Sequence, residues 1–94
     1  MPFTSIIWDE ESDPTGNVQH IGEHDLSIDD VEEVLAAPVS RGYSDSTGFP
    51  AVWGHVPDGR FVIVVFEQID DDTIRVITAY EVPEPRAKRK KKRK

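Results

Sequence analysis

The stretch Arg60–Val82, RFVIVVFEQIDDDTIRVITAYEV, limits the fold more than any other part of the chain. It holds two apolar runs, Phe61–Phe66 and Ile74–Val82, joined by the acidic link Asp70-Asp71-Asp72. Val, Ile, Phe and Thr dominate both runs, and such branched and aromatic side chains suit a pleated, packed surface. Every position from Phe61 to Phe66 is apolar, which predicts a strand covered on both faces. The second run alternates, with Ile74, Val76 and Thr78 expected on one face and Arg75, Ile77 and Ala79 on the other. The two runs read as a central antiparallel hairpin, and the N-terminal half of the chain as its cover.

Upstream, Phe3–Trp8 is short, apolar and strand-prone. Asp13-Pro14 and Gly16 mark a turn, after which Val18 and Ile21 sit at helical spacing and predict a short helix over Asn17–His24. Ser27-Ile28-Asp29-Asp30 fits a capping box that opens a second helix. There Ile28, Val31, Val34 and Leu35 share one face, Asp29, Asp30, Glu32 and Glu33 the other, and Pro38 ends it. An edge strand over Val39–Tyr43 and a strand over Ala51–Val56 follow, and Asp58-Gly59 is a hairpin turn signal. The predicted order is β-α-α-β-β-β-β: an α+β fold with two helices packed on one face of an antiparallel sheet.

A chain of 94 residues supports one domain, placed at 1–85, with 86–94 as a tail. Charge divides the same way. Residues 1–85 carry all 18 acids against Arg41, Arg60 and Arg75, leaving the body at −15; the tail RAKRKKKRK returns the chain to −7. With Ala87 as its one apolar residue, the tail is predicted to be disordered, and Arg86, Lys88, Arg89, Lys90, Lys91, Lys92, Arg93 and Lys94 suit phosphate binding without sequence preference. The same charge also suits an internal partner for the acidic body. Without cysteine, disulfides and thiolate metal sites are excluded and a reducing compartment is expected. The opening MPFTSIIWDEE has no basic segment followed by an apolar run, so a cytoplasmic protein without membrane contact is predicted.

Trp8-Asp9, Asn17 and His24-Asp25-Leu26 leading into Ile28 resemble the opening of BrnT-type toxins, with their Trp-Asp, Asn and Lys-His-Gly-Ile run. Gly59-Arg60-Phe61-Val62-Ile63-Val64-Val65 and Ile74-Arg75-Val76-Ile77-Thr78-Ala79 resemble that family's two arginine-bearing strands. The resemblance covers residues 6–82. It implies a RelE-like fold, a small ribbon-helix-helix antitoxin as partner, and ribonuclease activity that inhibits translation. On this reading Arg60, Arg75, His24, Glu67 and Tyr80 form the catalytic set: an imidazole or carboxylate takes the proton of an RNA 2′-hydroxyl, and guanidinium groups steady the phosphorane. Neither a cofactor nor a metal is needed.

Three positions depart from the pattern, with Glu23 in place of lysine, Asp25 in place of glycine and Tyr80 in place of arginine. They motivate a second reading, a non-catalytic binding module on the same fold. Its acidic body binds a basic protein partner and its tail binds nucleic acid. Arg60 and Arg75 then pair with carboxylates on a solvated sheet, while His24 and Tyr80 pack with their polar tips outward. His20-Ile21-Gly22-Glu23-His24 matches an H-x-x-E-H metal motif, but Gly22 breaks the helix and no third ligand is evident, so no metal is expected. Trp8 and Trp53 are expected in the core or an interface, and Asp70–Asp72 in a solvated turn.

Overall fold

A computed structural model describes residues 5–84, in the order β1 (Ser5–Ile7), α1 (Asn17–Gly22), α2 (Ile28–Ala36), β2 (Ser40–Tyr43), β3 (Pro50–His55), β4 (Phe61–Gln68) and β5 (Thr73–Glu81). The α+β architecture and the order of elements agree with the apolar patterning. Phe3, in the predicted first strand, and the tail lie outside the described residues, and with them every expectation for Arg86, Lys88–Arg93 and Lys94. Among the described residues no helix is long and apolar enough to cross a membrane.

The sheet runs β1-β5-β4-β3-β2, with β4 at its centre. It is mixed, which corrects the expectation of an antiparallel sheet: β1 pairs with β5 in parallel, Ile6 opposite Ile74. The physical reason is connectivity. β2 to β5 are successive strands returned by short links and therefore antiparallel. β1 has no such link to β5. The chain leaves β1, crosses the sheet through both helices to the far edge, and returns strand by strand until β5 lies beside it, as parallel neighbours require.

Both helices cover one face. Ile21 of α1 and Val31, Val34 and Leu35 of α2 join Val52, Val62, Val64, Phe66, Ile74, Val76 and Ala79 in one buried cluster, with Ile6 and Trp8 packed against it. Gly54 permits close approach of α2, since a β-carbon there would lie 3.2 Å from Val34 Cγ1. On the other face Ala51, Ile63 and Val65 are buried beneath half-buried Trp53, Ile77, Tyr80 and Val82. All six residues Phe61–Phe66 are thus buried, as their apolarity predicts.

The alternation expected along β5 breaks at one residue. Val65 pairs with Thr78 but Phe66 with Val76, so Ile77 is an extra residue in the ladder. Beyond it the faces exchange. Ala79 joins Ile74 and Val76 on the helix side, and Thr78 turns to the other face, where its Oγ1 is buried without a hydrogen bond.

The helix ends follow local chemistry. The Ser27 capping box is complete: Asp30 N–H donates to Ser27 Oγ (3.1 Å) and Ser27 N–H to Asp30 Oδ2 (3.0 Å). α1 is two residues shorter than predicted. Asp25 N–H donates to Gly22 O and Leu26 N–H to Ile21 O, a paired closure that places Asp25 in the left-handed region at φ 62°.

One side chain ties three elements together. Asn17 Nδ2 donates to Ile7 O (3.0 Å) and to Val76 O (2.9 Å), and Asn17 Oδ1 accepts from Asp9 N–H (2.9 Å). Asn17 is buried, so an apolar replacement strands those partners away from water. Asn17→Ala is expected to cost about 3 kcal/mol, lowering Tm by roughly 12–24 °C in a thermal melt.

Candidate functional site

The charge pattern acquires a shape in the fold. Residues 1–36 hold ten Asp and Glu and no Lys or Arg, so both helices and the turns around them form an acidic layer. Ser27 N–H and Arg60 engage Asp30, and Trp8 Nε1 donates to Glu32 Oε2 (3.1 Å). Between α1, its closing turn and the first turn of α2 lies an open groove of about 650 Å³. Val18, Ile21, Leu26 and Ile28 form its apolar floor, and Glu11, Glu23 and Asp29 stand around it. Ile28, expected on the packed face of α2, is half-buried in this groove.

The predicted catalytic residues separate into three places. Arg60 follows the β3–β4 turn and grips Asp58 with two contacts from Nε (3.0 and 2.9 Å) and one from Nη2 (2.9 Å), with Asp30 at 3.9 Å. Arg75 and Glu67 face each other across β4 and β5 at the opposite end. Seven residue steps separate Arg60 from Glu67, about 23 Å at the usual strand rise. His24 and Tyr80 meet at 5.8 Å between ring centroids, with His20 at 5.5 Å from His24. The structure therefore brings His24 to Tyr80 and Arg75 to Glu67, and leaves Arg60 apart from both pairs.

Arg60 and Arg75 are both held by carboxylates. Arg75 Nη2 donates to Asp9 Oδ2 at 2.7 Å, and the same oxygen accepts from Asn17 N–H at 2.8 Å. The backbone bond from Asn17, reinforced by Arg75, holds the Asp9 carboxyl below its ordinary value of 3.8. Arg60 does the same to Asp58, through its side chain first and its backbone N–H second, and Asp58 in return raises the Arg60 guanidinium. Neither arginine is free to meet a phosphate without giving up a partner.

The Asp9–Asn17 reciprocity is the feature that sequence reasoning missed. Trp8-Asp9 and Asn17 were visible as a pattern, but only folding shows that they brace β1 and occupy Arg75. Asp25, where the toxin pattern has glycine, fills a position set by backbone conformation, since glycine adopts positive φ without steric cost. That departure is conformational rather than chemical. Among the described residues no group of three or more His, Asp or Glu is placed to hold a metal ion.

The sequence profile of a domain of unknown function, DUF4258, matches residues 18–81, more than half of the chain, and the chain belongs to that family. The match runs from α1 to the last residue of β5. No curated protein matches the chain, and no solved structure does.

Two outcomes follow from this geometry. Asp25→Gly should relieve the left-handed strain and stabilise the fold by about 0.5–1 kcal/mol, read as a raised urea midpoint. Because the folded-state value of Asp9 is depressed, its contribution is complete above 3.8 and lost as pH falls through the lower folded value. Asp9→Asn should therefore be less stable than wild type at neutral pH, with the gap closing as acidification proceeds below 3.8 in a pH series of urea melts.

Proposed function

We propose that this chain has a RelE- or BrnT-like fold and acts as a binding module for a basic protein partner, without cutting RNA. One observation carries this reading: Arg60 and Arg75, the cations a nuclease of this type would aim at one phosphate, are spent on Asp58 and Asp9 at opposite ends of β4. The acidic helical layer supports it, because a surface with ten carboxylates and no Lys or Arg in the underlying sequence attracts cations and repels RNA. The toxin resemblance suggests a small ribbon-helix-helix antitoxin as the partner class; the basic character is asked for by the acidic layer alone. The basic tail, by charge alone, gives the module a grip on nucleic acid.

A second reading, an RNA-cleaving toxin, draws on the contact between His24 and Tyr80. His24 would take the 2′-hydroxyl proton, the 2′-oxygen would attack phosphorus to close a 2′,3′-cyclic phosphate, and the P–O5′ bond would break as Tyr80 gives its proton to the departing 5′-oxygen. Glu23 and Asp25 flank His24 and oppose a phosphate there.

A cleavage time course on single-stranded RNA, with wild type beside His24→Ala and Tyr80→Phe, separates the two readings. The binding module leaves the RNA intact in all three. Cleavage by wild type that is lost in His24→Ala would establish the toxin. RNA retention is expected to fall steeply with salt, with a log–log slope of about −6 if all eight tail cations contact phosphates, and to vanish when they are replaced by Gln.

A further inference from the structure

Resting on the binding-module reading, we propose that the groove between α1 and α2 is where the basic partner docks, and that its ligand is an amphipathic basic segment: Lys or Arg flanking aliphatic or aromatic anchors. Two properties of the same place lead to it. Val18, Ile21, Leu26 and Ile28 offer an apolar floor that a purely charged ligand leaves unfilled. Glu11, Glu23 and Asp29 stand around that floor, exposed, and their carboxylates make no ion pair among the described residues. Unpaired charge beside apolar surface selects a ligand carrying both cations and anchors, the pairing by which amphipathic helices seat in grooves.

The alternatives match less well. A second copy of the chain brings another strongly acidic body to an acidic rim. The chain's own Arg86–Lys94 brings eight cations but no apolar side chain beyond that of Ala87 for the floor. Nucleic acid has the wrong charge for this site.

Gly22 supplies a clean test. A β-carbon added there meets nothing within 4 Å, and the residue faces the groove at the end of α1. Gly22→Trp should therefore fill the groove while the fold stands, and its circular dichroism should match wild type. The probe is a short fluorescent peptide with Lys and Arg on one helical face and Leu on the other, beside oligolysine of equal charge, each titrated with the full-length protein. The amphipathic peptide is expected to saturate, to bind at least about tenfold tighter than oligolysine, and to weaken with added salt. Gly22→Trp, and separately the surface pair Glu23→Lys and Asp29→Lys, should each weaken it by about tenfold or more. Amide shifts in a heteronuclear NMR titration should centre on α1 and the first turn of α2.

Equal binding of oligolysine, undiminished binding by both groove variants, or no saturable binding of the amphipathic peptide would overturn the assignment. Binding that resists the groove variants but is lost in Glu32→Lys with Glu33→Lys would overturn the groove and keep the acidic module. RNA cleavage by wild type would overturn the module itself, so the two failures read differently.

Discussion

The fold depends on keeping the polar backbone groups of a short parallel edge satisfied. β1 is three residues long and makes few ladder bonds of its own. Its continuation would leave Ile7 O and Asp9 N–H unpaired against the core, and the β5 edge beyond Arg75 would leave Val76 O equally bare. Asn17 answers all three with one buried side chain. An amide suits this because it donates twice and accepts without carrying charge into the interior. Asp9 then returns a bond to Asn17 N–H, anchoring the first residue of a helix whose Gly16 cap has no side chain to offer. Gly16 is tightly placed for the same reason, since a β-carbon there would sit 2.6 Å from Asp9 Cβ.

This brace also decides what Arg75 can do. A carboxylate at 2.7 Å from a partly exposed guanidinium is a modest source of stability but a strong determinant of orientation. Asp58 does the same for Arg60 at the other end of the sheet. Arg60 and Arg75 thus serve as local clips near a turn and an edge, whereas ten of the 18 carboxylates gather over the helices. An acidic layer in which, among the described residues, only Asp9 and Asp30 meet an arginine raises the local concentration of cationic partners and suits fast, salt-sensitive association better than phosphate chemistry.

Much of the fold was legible because its signals are short-range. Ser27 and Asp30 announce the second helix, Asp58-Gly59 the hairpin, and the unbroken run Phe61–Phe66 the doubly covered central strand. The parallel placement of β1 was not legible, since it depends on a partner at the other end of the chain. Nor was the bulge at Ile77: the sequence alternates cleanly through it, and only the demand that Ala79 face the helices forces an extra residue into the ladder. The early end of α1 turned on Asp25 accepting positive φ, a conformation more often signalled by glycine. At the site, pairwise contacts such as His24 with Tyr80 were partly foreseeable from a family pattern. The engagement of both arginines was not, because any of 18 carboxylates was an eligible partner and geometry alone chose Asp9 and Asp58.

The pairing of Ser5 with Thr73 and Ile6 with Ile74 has a consequence for how the protein is made. Synthesis is vectorial, and of the described strands β1 leaves the ribosome before the others, yet β5, its one neighbour among them, emerges after them. Until then the apolar faces of α1 and α2 have no complete sheet to cover, and Asn17 has no Val76 carbonyl to reach. The acidic first third of the chain therefore waits in solution, kept apart from its neighbours by like charge while the meander is completed. The pairing that closes the sheet is thus the one that synthesis makes possible last, and it joins the two ends of the described fold.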